Sequence, residues 1–538
     1  MMEWLETHPR ILLLAGMLVL CGALYGSSLG NAFVLDDGPA VQANPYAHWP
    51  PDPGGILSTN YWGSPPHYRN LTIYRPLSTL SFALVDGVAS GDDAAGGQRS
   101  VNILLHALAA WLTALLVLAW SGSRGAAWIT GILFAVHPVH SEAVLGVVSR
   151  AELLAAVFAL WAVLNHLGWS GDEARGPRIR RGVLGIALVG LAILSKENGA
   201  TVVVGLLLVD GLAMLGRRMG WEDPRRGAPW WVHLGNLSVL GGYMVLRSRV
   251  LSGILAGDLD PFDNPLVGAG ALARILTPFK LLWINCRLMV APVELTWDYS
   301  FNHVPVVSSL QDGAAWAGVA TAALMVALTL WAARRAGPLA ACLALFAASY
   351  SVVSNMVFLS TILMAERLLY LPSAFFIAAL VVLGWLVWPD GEAPWLRRGL
   401  LAALVLVSLG YSARTVVRIP EWRDGLALAE AGVRVAPDSA KARSLLGHEL
   451  AAAGRPKEAI PHLRASLALD PTNFLAHFNL GLALHRVGQH EAAFHAWEAA
   501  LLTSKGTHRD ARAALCTAAL SARRIDLLER WCPMGGRK

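Results

Sequence analysis

Long apolar runs, each close to the thickness of a bilayer and separated by short clusters of arginine, constrain this chain more than any other feature. A membrane's hydrocarbon core takes roughly 20 apolar residues of helix to cross. On that measure about eleven crossings are predicted. They centre on 11–30, 101–120, 125–137, 151–169, 183–195, 199–215, 230–250, 312–333, 338–360, 369–388 and 399–417. The run 183–195 is short, so Lys196 and Glu197 are expected at or below the membrane surface. Ile11–Gly30 reads as a crossing and not as a cleavable signal peptide, because no small-x-small site ends it. Composition points the same way. Hydrophobic residues make up 55% of the 538 and charged residues 15%, more apolar side chain than a water-soluble core can hide.

The net charge of +6 is not gathered into a patch that would suit nucleic acid. Basic residues fall between apolar runs: Arg175, Arg178, Arg180 and Arg181, then Arg217, Arg218, Arg225 and Arg226, then Arg334-Arg335 and Arg397-Arg398. This is the bias of cytoplasmic loops. With the N-terminus inside, all of these clusters are cytoplasmic, and 31–100 and 251–311 lie outside. Segment 267–293 is apolar, but Arg274, Lys280 and Arg287 interrupt it, so it reads as an amphipathic helix along the outer interface. The five cysteines show neither metal-ligand spacing nor a disulfide framework.

After Val417 the apolar runs stop and a period of 34 residues begins, with clear repeats at 438–471 and 472–505. Leu446-Gly447 recurs as Leu480-Gly481, Gly454 as Gly488, Ala459 as Ala493, and Pro437 as Pro471, while Trp497 replaces Leu463. That period, with small residues where paired helices touch, is the tetratricopeptide signature. A half-repeat, Trp422–Pro437, precedes the pair, and an irregular basic tail from Thr507 is expected to cap it. The fold class is therefore all-α: a polytopic membrane domain over 1–420, then a short α-solenoid over 421–538 whose groove suits a protein partner.

Ionisable residues sit where a simple anchor would not place them. Asp36-Asp37 follow the first crossing closely, and two adjacent acids at an interface predict one raised pKa. Arg75 precedes an apolar face; His137, His140, Glu142, Arg150 and Glu152 lie at or inside the third and fourth crossings. Lys196 and Glu197 lie between the fifth and sixth, and Glu366 and Arg367 at the end of the ninth. By the predicted topology all of these share the outer face, and ionisable groups at such depth mark a polar cavity. The bland alternative is a set of ion pairs that fix helix packing. A zinc site at His137, His140 and Glu142 is disfavoured, because Pro138 disrupts helical spacing and no further ligand is evident. Hydrogen bonding to sugar or phosphate suits these residues better.

Such a set fits transfer of a sugar from a lipid phosphate. Asp36 or Asp37 would take the acceptor proton, and Arg75, Lys196 and Arg367 would meet the departing phosphate. No metal and no cofactor beyond the lipid-linked sugar is called for. A transporter or flippase would also line a cavity with charge, but no inverted repeat is visible. An assembly scaffold would use only the repeats.

In order along the chain, FVLDDGPAVQANPY, YRPLSTL, VNILLHAL, HPVHSEAV with SRAELL, SKENGAT, DNPLVG, ERLLYLPS and the 34-residue repeats resemble the transmembrane and tetratricopeptide-repeat O-mannosyltransferases of the GT-C glycosyltransferase superfamily. The resemblance implies an inverting enzyme with Asp36-Asp37 as the acidic catalytic pair and Arg367 in the donor pocket. It also implies a polyprenyl-phosphate sugar donor, usually mannose, and a protein hydroxyl acceptor, with a glycan acceptor left open. The repeat array is shorter than in animal members. The Ala-, Gly- and Arg-rich composition looks bacterial, so the inner membrane, an undecaprenyl-type lipid and a periplasmic site are expected.

Overall fold

The computed structural model describes residues 9–64, 73–169, 175–218, 227–251, 259–300, 303–335, 337–387, 394–504 and 508–532; Arg225 and Arg226 lie outside them. The chain forms two compact units. The first comprises Met1–Asp260, Leu266–Leu295 and Val306–Arg423; the second comprises Pro261–Pro265, Thr296–Pro305 and Asp424–Lys538. Both are helical, and no strand occurs among the described residues.

In the first unit a helix stands at each of the predicted apolar runs. They are α1 Pro9–Tyr25, α3 Ala94–Ser121, α4 Arg124–Val136, α5 Arg150–Leu167, α6 Arg175–Ser195, α7 Thr201–Arg218, α8 Trp230–Leu251, α10 Gly313–Arg335, α11 Gly337–Ser351, α12 Tyr370–Leu386 and α13 Pro394–Arg418. Of the further helices among the described residues of the connecting segments, α2 Pro76–Asp86 and α9 Ala271–Val290 are the longer two, and Pro53–Ser58 and Ser141–Leu145 are short. Seven helices among the described residues are long and apolar enough to cross a membrane, those containing α1, α3, α5, α7, α10, α12 and α13, while α4 and α11 are shorter apolar helices. α9 is not in that set and carries Pro278 in its interior. Tight turns between neighbours explain the packing. Ser123 ends the turn after α3 and caps α4 by accepting the Ala126 N–H, so α3 and α4 fold back on each other with α1 against both.

Several helices at one end of this unit start from a short 3-10 turn. Pro138–His140, Val147–Ser149, Glu197–Ala200 and Glu366–Leu369 are such turns, and the last three lead directly into α5, α7 and α12. Each turn lets a polar residue point sideways at a helix start, where a continuous helix would have pointed it into the bundle or the lipid.

The second unit stacks helix pairs: α14 Gly425–Val435, α15 Ala440–Ala452, α16 Pro456–Leu469, α17 Phe474–Arg486, α18 His490–Thr503, α19 Arg509–Ser521 and α20 Ile525–Trp531. Ser439, Asn473 and His508 occupy equivalent N-caps and accept from the N–H of Ala442, Ala476 and Ala511. Leu446, Leu450, Leu463, Leu480, Leu484, Trp497 and Leu515 form one continuous core through the stack. A β-carbon on Gly481 would fall 2.4 Å from the Trp497 ring, so only glycine lets that pair of helices approach. The expected irregular tail is instead a further helix pair, α19 and α20, because Ala511, Leu515, Ala518 and Leu527 extend the same apolar face. Cys516 and Cys532 are joined in a disulfide across that pair, which corrects the expectation of no disulfide. Their spacing of 16 residues matched no familiar framework, yet the turn between α19 and α20 brings their Cα atoms to 5.8 Å. Cys21, Cys286 and Cys342 are free and buried.

Two loop segments on either side of α9 belong to this second unit. Lys441 Nζ donates to Asp263 at 2.7 Å, and Ser439 donates to Asp298 Oδ2 at 3.0 Å. Trp297 lies against the α-carbon of Gly432.

Candidate functional site

The two acids after α1 are held very differently. Asp37 is fully buried; its Oδ1 accepts the Val148 N–H at 2.7 Å and its Oδ2 the Val34 N–H at 3.1 Å. It thereby ties the turn 34–37 to the 3-10 turn before α5. Burial pushes the Asp37 carboxyl up to about 6, against the opposing pull of those N–H groups and of Arg99. Arg99 anchors the approach, donating to the carbonyls of Leu145, Asn31, Ser28 and Ala32. Within the turn Leu35 has φ +49°, a left-handed conformation that leucine seldom adopts, so the turn is strained and held by its surroundings. Asp36 is the outcome of that arrangement. Its side chain is exposed and accepts no hydrogen bond among the described residues.

Near Asp36, on the side of Arg367, three ion pairs from separate segments come together. Arg75 Nε donates to Glu197 Oε2 at 3.0 Å and its guanidinium lies 5.2 Å over the Tyr61 ring. Lys196 pairs with Glu152, whose other oxygen accepts from Asn198 Nδ2 at 2.9 Å. Arg367 pairs with Glu142 through its side chain, and its backbone N–H donates to the same carboxylate at 2.8 Å. The pairs form one cluster. Arg367 is close enough to feel the charges of Asp36 and Glu152, Lys196 those of Arg75 and Arg367, and Arg75 that of Glu152. Three cations thus face three carboxylates, with Asp36 left over.

Four expected site residues lie elsewhere. Arg150 is fully buried, with its guanidinium on Asn102 Oδ1, the carbonyls of Ser81 and Gln98, and the Phe82 ring. Each of its three nitrogens is bonded within the protein, and the side chain is shut off from any ligand. Glu366 is buried against Arg418 Nη2 at 2.8 Å and not beside Arg367, because adjacent residues of a 3-10 turn point apart. His137 bonds the Met289 carbonyl and the Val139 N–H, and His140 the Phe134 carbonyl and Ser373. Both rings belong to a buried aromatic group with His106, Phe134 and Tyr370. Glu142 faces Arg367 instead, so these three residues form no metal site. Tyr61 and Asn198 join the cluster without having been singled out; NYW (60–62) and SKENG hold them, but nothing in the spacing reports a cation–π contact or a bond to Glu152.

The region 256–327 matches the family model described as Protein O-mannosyl-transferase TMTC, DUF1736, and 447–488 matches the TPR repeat. Human Protein O-mannosyl-transferase TMTC1 is 31% identical over 87% of this chain and 56% of its own length. The chain is similar to the TMTC proteins over most of its own length. The mouse Protein O-mannosyl-transferase TMTC3 is 29% identical over 88% of this chain and 53% of its own length. The chain spans little more than half the length of these curated TMTC relatives. Among solved structures, the archaeal oligosaccharyltransferase AglB from Archaeoglobus fulgidus in complex with an inhibitory peptide and a dolichol-phosphate aligns with a TM-score of 0.44 at 14% identity, over 80% of this chain and 56% of that one.

Proposed function

We propose that this chain is a GT-C-like membrane glycosyltransferase that moves a sugar, mannose foremost, from a polyprenyl-phosphate to a hydroxyl of a polypeptide on the outer face of a bacterial inner membrane. The observation behind this is Asp36: an exposed, unbonded carboxylate held on a strained turn near Arg367, which belongs to one cluster with Lys196 and Arg75. In the step, Asp36 takes the proton of the acceptor hydroxyl as its oxygen bonds to the sugar C1. The C1–O bond to phosphate breaks on the opposite face, which inverts the configuration, and its electron pair leaves on the lipid phosphate. Arg367, Lys196 and Arg75 stabilise that charge. Their carboxylate partners keep the cations compensated in the empty site, and the incoming phosphate takes over that role. The step uses no cofactor and no metal.

Two observations support the outer placement of the repeat unit. A disulfide in that unit suits an oxidising compartment. Arg418, a cation on the wrong side for the positive-inside rule, is buried and neutralised by Glu366 and Glu421. The repeats would then hold the polypeptide acceptor or a partner that delivers it.

The test is to incubate the purified protein with polyprenyl-phosphate mannose, and with other polyprenyl-phosphate hexoses, and to follow sugar release or transfer to Ser/Thr peptides. Release or transfer that disappears in Asp36→Asn is expected. Folded protein that turns over none of these donors would sink the proposal.

A further inference from the structure

The end of the first unit away from the Asp36 cluster has a charged group of its own. His166 near the end of α5, Asp210 on α7 and His233 near the start of α8 converge from three helices. His166 lies 14 residues beyond Glu152 on α5 and Asp210 lies 13 beyond Glu197, which at 1.5 Å per residue places the group about 20 Å from the cluster. The arginines Arg178, Arg180, Arg181, Arg217 and Arg218 mark this as the inner end.

We propose that His166, Asp210 and His233 bind a divalent transition-metal ion, zinc foremost, and that it clips the inner ends of α5, α7 and α8 together. Both imidazoles present the same atom to one point: His166 Nε2 lies 3.0 Å from Asp210 Oδ1 and His233 Nε2 lies 2.9 Å from Oδ2. One ligand atom from each residue falls within a 4.8 Å sphere of separation. A tetrahedral ion with bonds of about 2.0–2.1 Å spaces its ligand atoms about 3.3 Å apart. The two His–carboxylate distances are already near that spacing, and the widest separation, at most 4.8 Å, has to close by no more than about 1.5 Å, shared among three side chains.

The surroundings fix the carboxylate as a ligand is fixed. The Ala228 N–H donates to Asp210 Oδ2 at 2.9 Å. Gly227, at φ +67°, lies so close that a β-carbon there would sit 3.1 Å from the Asp210 carboxyl carbon. The His233 Nδ1 is buried without a partner, so no second hydrogen bond fixes which nitrogen of this ring carries the proton. Two nitrogens and a carboxylate, with a fourth position open, match the donor set that zinc takes with three protein ligands.

Metal analysis of the full-length protein tests this. Protein stripped with a chelator is re-equilibrated with buffered zinc and passed through a desalting column. About one equivalent is expected in the unmutated protein, falling at least tenfold in Asp210→Asn and His166→Gln. Zinc should raise the melting temperature of the unmutated protein and leave that of the two variants unmoved. Cobalt added to the unmutated protein reads the site without any variant, through the visible bands of a four-coordinate nitrogen and oxygen environment. Unmutated protein that retains no zinc and gives only the spectrum of aqueous cobalt overturns the proposal. So does zinc retained in full by both variants.

Discussion

Replacing Asp37 by asparagine separates the two acids after α1 by their response to pH. In the folded protein burial raises this carboxyl from 3.8 to about 6. The folded state therefore holds the proton more tightly than the unfolded chain does. Below pH 4 both states are protonated and the residue contributes no difference. As pH rises from 4 to 6 the unfolded chain ionises first, and stability falls; above about 6 the loss is complete. A shift of about two units corresponds to about 3 kcal/mol at pH 7 and about 1 kcal/mol at pH 4.5. Asparagine keeps the shape and removes this titration. It also turns an NH2 toward the N–H of either Val34 or Val148, and the unsatisfied donor costs about 1–3 kcal/mol at every pH. The second effect cancels between pH values, so the stability of Asp37→Asn relative to wild type should improve by about 2 kcal/mol from pH 4.5 to pH 7.5. For a chain of this size that is on the order of 2–4 °C in melting temperature. Thermal scans of purified protein in detergent at several pH values give the difference curve, which should be half complete near pH 5, midway between the unfolded and folded values, and level off above about pH 6. Parallel curves for the two proteins would refute the assignment of Asp37 as the buried, positioning acid.

Asp36→Asn should leave melting unchanged, because nothing among the described residues bonds that side chain, and should slow sugar transfer by roughly 100- to 10,000-fold in a radiolabelled-donor assay. Arg367→Lys retains charge but loses the fork, so donor KM should rise by about 10- to 100-fold with a smaller effect on melting. An unchanged KM with a depressed melting temperature would mark Arg367 as a packing residue. Gly481→Val drives a side chain into Trp497 and should destabilise the repeats by about 1–3 kcal/mol, visible as early proteolysis of that unit. Cys516 and Cys532 should resist maleimide in denatured, unreduced protein isolated from cells and label after reduction; labelling without reductant would place them in a reducing compartment.

Much of the architecture was legible because it rests on periodicity. Apolar length located the helices of the first unit, and a 34-residue spacing located the paired helices of the second. The ion-pair cluster was legible as a list of members, since charge inside apolar runs needs a partner or water. Partner choice was not. Glu366 and Arg367 are neighbours in the sequence and turn to Arg418 and Glu142 respectively, a consequence of the 3-10 turn that residue types do not report. Arg150 and the two histidines looked like ligands for the same reason, and only packing shows their polar atoms satisfied internally. His166, Asp210 and His233 went unnoticed because each is solitary in its own run and they meet only once α5, α7 and α8 are neighbours.

The membership of Thr296–Pro305 in the repeat unit has a consequence for biosynthesis. Asp298 and Trp297 are made about 130 residues before the helices they pack against. At 5–20 residues per second that is a wait of about 6–26 s, during which the four apolar helices α10 to α13 must enter the bilayer. Through that interval the loop has none of the repeat helices to pack against. Chains truncated after α13 would keep that loop permanently without its partner, and repeats expressed alone would lack two of the three segments that complete them. The membrane part and the solenoid are separable on paper, but the ribosome makes them interdependent.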